Sequence, residues 1–248
     1  MTKENALVVM LKAPREGEVK TRLVPPFTPK EAALLYRAFI KDTLNNLSRL
    51  KDIALYAFFT PAGGKADISD IITQGISLIP QKDGDLGERI YGVFECLFNA
   101  GHKRVAVIGS DSPDIPLEYI ETAFSMLKES QGSLILGPAT DGGYYLIAMD
   151  RLIKTPFEGI EWSTKTVLED TIKNVAASGI IVKLLPEWHD IDRPEDLCFI
   201  EDNPTTPESS ACLTRIKRRQ GFCRLAPFDK LRTGFRADIS GLKPVKEP

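Results

Sequence analysis

Two carboxylates close the stretch Val107-Ile108-Gly109-Ser110-Asp111-Ser112-Pro113-Asp114, where a β-branched run passes into a small-residue turn. In an open α/β sheet, ligands bind just beyond the carboxyl ends of the strands. Asp111 and Asp114 therefore fall where a divalent cation and a phosphate-bearing ligand are expected. Carboxylate oxygens suit hard Mg²⁺ or Mn²⁺ and suit soft metals poorly. The competing reading is that Asp111 or Ser112 caps the helix that begins near Leu117.

Four other segments carry groups of the same kind. The first, Lys12 to Leu23, is a long polar loop in which Gly17 permits tight backbone geometry. Its Lys20 and Arg22, two apart in an extended segment, project to one side and can wrap a di- or triphosphate. It is not a Walker loop, because no Gly-Lys-Ser/Thr opens a helix, and a solvated basic loop is the alternative. In Gln81 to Arg89, Asp85 can cap the following helix, whose N-terminus favours an anionic or hydroxyl-rich ligand. Gly84 and Gly87 beside it suggest a backbone that something approaches closely. In Gly137 to Tyr145, Asp141 sits between two strands as a candidate base or acceptor-binding group, although a tight turn explains the same residues. In Trp188 to Asp196, Asp190 and Asp192 alternate onto one face, and Asp192 can also cap the Pro194 helix.

The elements that must position these groups alternate along the chain. Strands are expected at Ala6–Leu11, Ile53–Phe59, Ile76–Ile79, Val105–Ile108, Leu134–Leu136, Tyr144–Ala148 and Ile180–Leu185. Helical spacing marks Pro29–Leu50 (with Thr28 as cap), Gly87–Ala100, Leu117–Glu129 and Thr164–Ala177, and Pro194 begins a last helix. This order predicts an α/β domain with a mostly parallel sheet and helices on both faces. The link from Leu136 to Tyr144 is too short for a crossover and predicts a local antiparallel excursion.

Composition narrows the class. The 248 residues are 43% hydrophobic and 27% charged, enough for a large core. No apolar run approaches the roughly 18 residues of a membrane span, and Met1 to Asn5 lacks a signal-peptide core. Cys96, Cys198, Cys212 and Cys223 are widely spaced and read as reduced thiols of a cytoplasmic protein, two of them buried. With only His102 and His189, a His/Cys zinc site is disfavoured. The net charge of −2 divides unevenly: residues 1–202 carry −8, residues 203–248 carry +6. The acidic body argues against nucleic-acid binding. We therefore expect one domain over 1–202, and a basic, Pro-punctuated tail over 203–248 that stays disordered or docks weakly. The tail segment Pro227 to Gly234 resembles translated repeat DNA found appended to many unrelated bacterial proteins.

Five ordered motifs make the chain recognisable over about residues 6–200. They are Lys12-x-Pro14-x-x-Gly17-x-Val19-Lys20-Thr21-Arg22-Leu23, Gly84-Asp85-Leu86-Gly87-Glu88-Arg89, Gly109-Ser110-Asp111-Ser112-Pro113, Gly137-Pro138-Ala139-x-Asp141-Gly142-Gly143-Tyr144-Tyr145 and Trp162-Ser163-Thr164. The sequence resembles the bacterial radical-SAM/selenodomain-associated transferases, within the GT-A nucleotide-diphospho-sugar transferases. It is also similar to 2-phospho-lactate guanylyltransferase. The resemblance implies a single GT-A/Rossmann-like domain and Mg²⁺ or Mn²⁺. Asp192-Arg193-Pro194-Glu195-Asp196 is similar to the Asp-Thr-Pro-Glu-Asp of nucleotidyltransferases, whose first Asp meets the metal; Arg193 replaces the usual Thr.

The roles that follow are expectations. Asp111 and Asp192 hold the metal. Lys12, Gly17, Lys20, Arg22, Asp85 and Gly87 bind the nucleotide and its phosphates, and Lys20, Arg22 and Asp141 act in catalysis. Asp141, Gly142, Gly143, Tyr144, Trp162 and Ser163 face the acceptor. The leading activity is sugar transfer from a nucleotide-sugar donor to a small-molecule acceptor. Nucleotidyl transfer from an NTP with pyrophosphate release is the alternative, and nucleotide binding without turnover is the third. Neither a membrane nor a nucleic acid is expected as partner.

Overall fold

Side chains alternate along buried strands, and that alternation builds a sheet with two apolar faces. In the computed structural model, which describes residues 2–220, the chain runs β1 (Asn5–Lys12), α1 (Pro29–Leu47), β2 (Ile53–Thr60), the short α2 (Lys65–Ile68), β3 (Ile76–Pro80), α3 (Leu86–Asn99) and β4 (Arg104–Ile108). It continues through α4 (Leu117–Glu129), β5 (Leu134–Pro138), β6 (Tyr144–Met149), α5 (Val167–Ala177), β7 (Val182–Leu184) and α6 (Pro207–Arg219). The strands form one sheet in the order β3-β2-β1-β4-β6-β5-β7. All run parallel except β6, which is antiparallel to both β4 and β5. The expected antiparallel excursion is this strand. It matters for the site, because β6 starts at the edge where its parallel neighbours end.

Both faces are covered. Leu7, Val9 and Leu11 of β1 join α1, α4 and α6 in one apolar cluster. Ala6 and Val8, pointing the other way, join α3 and α5 in the second. The two longest-signalled helices start as their sequences dictate. The Thr28 hydroxyl accepts from the Glu31 N–H at 3.2 Å while the Glu31 carboxylate accepts from the Thr28 N–H at 2.9 Å. Asp85 and Glu88 make the same reciprocal pair, both at 2.9 Å.

Four expectations require correction. Composition placed the end of the ordered body at residue 202, yet α6 lies beyond it and packs on α1. Leu213 and Ile216 are buried there. Asp42, buried in α1, accepts the Glu208 and Ser209 N–H groups at 3.1 and 2.7 Å and the Ser209 hydroxyl at 2.5 Å. A carboxylate from another helix thus caps α6 at its positive end. Residues 221–248, with Cys223 and Pro227 to Gly234, lie outside the described residues. Pro194–Phe199 is a short 3-10 turn rather than an α-helix. The expected strand at Ile180–Leu185 shrinks to Val182–Leu184. Cys96 and Cys198 are exposed and Cys212 is half-buried, so the expected buried thiols are not found among the described residues. No described helix is long and apolar enough to cross a membrane.

Candidate active site

Four connections meet at the carboxyl edge of the sheet. They are the loop after β1, the loop after β4, the β5–β6 turn and the segment Trp188 to Arg193. The last is laid beside the β5–β6 turn by backbone pairing: the Trp188 N–H donates to Pro138 and the Thr140 N–H to Trp188, both at 3.0 Å. It is tied to the β4 loop by the Ile191 N–H, which donates to the Asp111 carbonyl at 2.9 Å. Between these connections opens a cleft of about 940 Å³, lined by Arg22, Asp111, Asp141, Tyr144, Trp162, Asp190 and Asp192 among others. Its size suits a nucleotide-scale ligand.

Lys20 organises the acidic side of the cleft. Its ammonium donates to the Ile191 carbonyl at 2.7 Å and to Asp192 Oδ1 at 2.9 Å, and it pairs with Asp111 Oδ1. The side chain is only 3% exposed, and its Nζ lies 5.9 and 5.5 Å from the ring centroids of Tyr36 and Phe39. Burial alone would favour loss of its proton, but Asp111 and Asp192 reverse this and raise it above its ordinary value. Lys20 was expected on an extended, exposed loop. It instead adopts a left-handed conformation at the head of a 3-10 turn over Thr21–Leu23. Arg22, on that turn, is 61% exposed and donates to Asp192 Oδ2 at 3.0 Å. The two cations therefore converge on one carboxylate, but only Arg22 reaches the open cleft.

The capping alternatives fail for both proposed metal carboxylates. Helix α4 is preceded by Pro116 with no side-chain cap, and the Asp111 side chain instead faces Lys20. Before the Pro194 turn it is Asp196, not Asp192, whose carboxylate accepts the Asp192 and Arg193 N–H groups, at 3.0 and 2.7 Å. Burial opposes ionisation of Asp192, yet Lys20 and Arg22 hold it below the usual carboxylate range. Asp190 behaves oppositely. Burial, then the charges of Asp111 and Asp141, push its carboxyl up to about 6 against the Ser112 hydroxyl that donates to it at 2.6 Å.

The remaining expected residues divide. Asp141, Gly142, Gly143, Tyr144, Trp162 and Ser163 all line the cleft. Asp141 also accepts the Gly143 N–H at 2.9 Å. Gly142 has a φ of 94°, and a Cβ there would run into the Lys165 carbonyl. The Tyr144 hydroxyl is buried without a hydrogen-bond partner among the described residues. Lys12, Gly17 and Asp85 are not among the residues lining the cleft. The Lys12 ammonium closes its own loop on the Glu18 carbonyl at 2.8 Å, and the Asp85 carboxylate is occupied as the α3 cap. Gly87 lies behind Trp162, whose indole occupies the space a Cβ would need. Asp114 turns away from the cleft. Its carboxylate meets His189 Nε2 at 3.0 Å and Trp188 Nε1 at 3.4 Å, pinning the segment that carries Asp190 and Asp192.

Sequence reasoning passed over several contributors. Thr140, Lys165, Arg193 and Asp196 line the cleft. Tyr36 supports it from α1, its hydroxyl 2.7 Å from Ser110 Oγ and accepting the Lys12 N–H at 3.1 Å. Burial first, then the Asp111 charge, push its phenol up to about 12. Tyr36 reads in sequence as one more apolar position of α1, and nothing local marks it. Among the described residues no three His, Cys, Asp or Glu side chains form a ready metal cage. Asp111 and Asp192 alone supply carboxylate oxygens on a common cation, Lys20. A pair of this kind fits Mg²⁺ or Mn²⁺, which keep waters and take the remaining ligands from substrate phosphates.

The family model of DUF2064, described as an uncharacterized protein conserved in bacteria, matches residues 43–164. A crystal structure from Desulfovibrio desulfuricans G20, provisionally named a nucleotide-diphospho-sugar transferase, is 31% identical. The match covers 88% of this chain and 98% of that one, with a TM-score of 0.79. Two more distant structures share the fold. One is 4-diphosphocytidyl-2C-methyl-D-erythritol synthase from Anaerococcus prevotii DSM 20548 (14% identity, 85% and 97% coverage, TM-score 0.52). The other is CMP:2-keto-3-deoxy-manno-octonic acid synthetase with CTP (11% identity, 88% and 99% coverage, TM-score 0.51). No curated protein matches the chain.

Proposed function

The chain belongs to the DUF2064 family, and on that premise we propose that it is a metal-dependent transferase that moves a sugar from a nucleoside-diphosphate sugar to a small acceptor. The observation that carries this reading is the meeting of Asp111, Asp192 and Arg22 in one cleft at the carboxyl edge of the sheet. The provisional name of the 31%-identical relative supports the donor class. Asp111 and Asp192 would hold the divalent ion. When bound, Mg²⁺ or Mn²⁺ would neutralise the diphosphate and favour its departure. Arg22, exposed to the cleft, would contact the diphosphate and stabilise charge as it develops there. Asp141 orients the acceptor hydroxyl and receives its proton. Gly142 and Gly143 shape the turn that would face the acceptor, with Tyr144, Trp162 and Ser163 as the neighbouring wall.

A second reading, nucleotidyl transfer, draws support from the further cations Lys165 and Arg193 on the cleft, since a triphosphate needs more positive charge. The test is a product assay with nucleotide sugars and NTPs, each with Mg²⁺ or Mn²⁺ and candidate acceptors. Release of nucleoside diphosphate is expected. Pyrophosphate release would move the assignment to nucleotidyl transfer. Tight nucleotide binding with neither product would leave a binding protein.

A further inference from the structure

Asp192 is already fully engaged by cations. Its Oδ1 takes Lys20 at 2.9 Å and its Oδ2 takes Arg22 at 3.0 Å. Asp111 shares Lys20 with it through Oδ1. A divalent ion sharing those oxygens would sit within a few ångströms of one or two fixed positive charges. That repulsion is strong, because Lys20 is buried and weakly screened. The ion and the loop cations therefore compete for the same carboxylate oxygens. A diphosphate in the cleft offers Arg22 a replacement partner. Arg22 lies on the exposed turn and lines the cleft, whereas Lys20 sits buried at that turn's head, held by Asp111, Asp192 and the Ile191 carbonyl.

We propose that Lys20 and Arg22 act as a built-in counter-ion lock on the Asp111–Asp192 pair, so that a divalent ion enters well only when a nucleoside diphosphate draws Arg22 off Asp192. The proposal rests on the reading of Asp111 and Asp192 as metal ligands and assigns to the first loop a role that reading lacks. Metal and donor load together. Without the donor, the two carboxylates stay neutralised and the cleft does not accumulate free metal.

The test reads metal binding without turnover. Mn²⁺ alone is titrated into nucleotide-free protein and followed by electron paramagnetic resonance, for wild type, Lys20→Met, Arg22→Met and Asp111→Asn. The lock predicts that Lys20→Met binds Mn²⁺ at least ten-fold more tightly than wild type. Arg22→Met, an exposed change that spares the fold, should bind several-fold more tightly. Asp111→Asn should lose the site. Addition of ADP, GDP, CDP or UDP in turn should tighten Mn²⁺ binding to wild type more than to either loop variant. Equal or weaker Mn²⁺ binding by Arg22→Met and by any folded Lys20→Met would overturn the lock while leaving the metal reading intact. Failure of every protein to bind Mn²⁺, with or without nucleotide, would overturn both.

Discussion

The Ser112 hydroxyl donates to the Asp190 carboxylate at 2.6 Å, joining the loop after β4 to the segment that precedes the Pro194 turn. Neither residue caps a helix. The bond fixes Asp190 beside Asp111 while burial and that neighbouring charge hold its carboxyl at about 6. Asp190 is held here at the expense of stability, a pattern expected where ligand binding rather than folding sets the arrangement.

That expense has a pH signature. An unfolded Asp releases its proton near its model value of 3.8, whereas folded Asp190 releases it near 6. The group's stabilising contribution is therefore full below about pH 4 and is lost as pH rises through about 6. Urea unfolding of metal-free wild type should show this group costing about 1–3 kcal/mol by pH 7.5. Asp190→Asn should flatten that part of the profile and be the more stable protein at pH 7.5. Identical pH slopes in the two proteins would remove Asp190 from this account.

Asp111→Asn should leave the fold intact, because Lys20 keeps Asp192 and the Ile191 carbonyl as partners. Calorimetry should then find Mg²⁺- or Mn²⁺-dependent nucleotide affinity abolished. Unchanged metal-dependent affinity would end the ligand role of Asp111.

The two cations of the first loop should separate stability from turnover. Arg22→Ala, at an exposed position, should change unfolding free energy by about 0.5 kcal/mol. The same change should lower kcat/KM by roughly 10- to 100-fold, as the loss of a charge-assisted phosphate contact would. Lys20→Ala removes a buried ion-pair partner and should cost about 2–4 kcal/mol of stability. Comparable denaturation midpoints for both variants would contradict the burial of Lys20.

Truncation after Asn203 should be damaging. It removes α6, re-exposes the apolar face that Leu213 and Ile216 cover on α1, and leaves Asp42 without its Glu208 and Ser209 donors. Burial of the two side chains alone is worth about 3–6 kcal/mol. A fall in Tm of about 10 °C or more is expected. A truncated protein melting with wild type would show that α6 contributes nothing to the fold.

What the sequence determined by itself was local. Thr28 and Asp85 meet their capping partners three residues away, so both helix starts were legible. Short apolar runs and helical spacing marked the strands and principal helices, and the brief link before Tyr144 foretold the antiparallel β6. The residues that line the cleft were legible in part, Asp111 from its strand-end position, Arg22 from its polar loop and Asp192 from the motif it shares with nucleotidyltransferases. Tertiary structure decided what depends on distant partners. Lys20 meets Asp192 across 172 residues, and only that meeting turns an apparently solvated cation into a buried one. Asp114 was diverted from the cleft by His189, 75 residues on. Helix α6 went unread because its Arg and Lys outweighed the stripe Cys212, Leu213 and Ile216, and because its cap, Asp42, lies 167 residues before Ser209. Short-range patterns reveal which backbone hydrogen bonds a segment can make. The charge a side chain carries, and whether water reaches it, depends on neighbours that only the folded chain supplies.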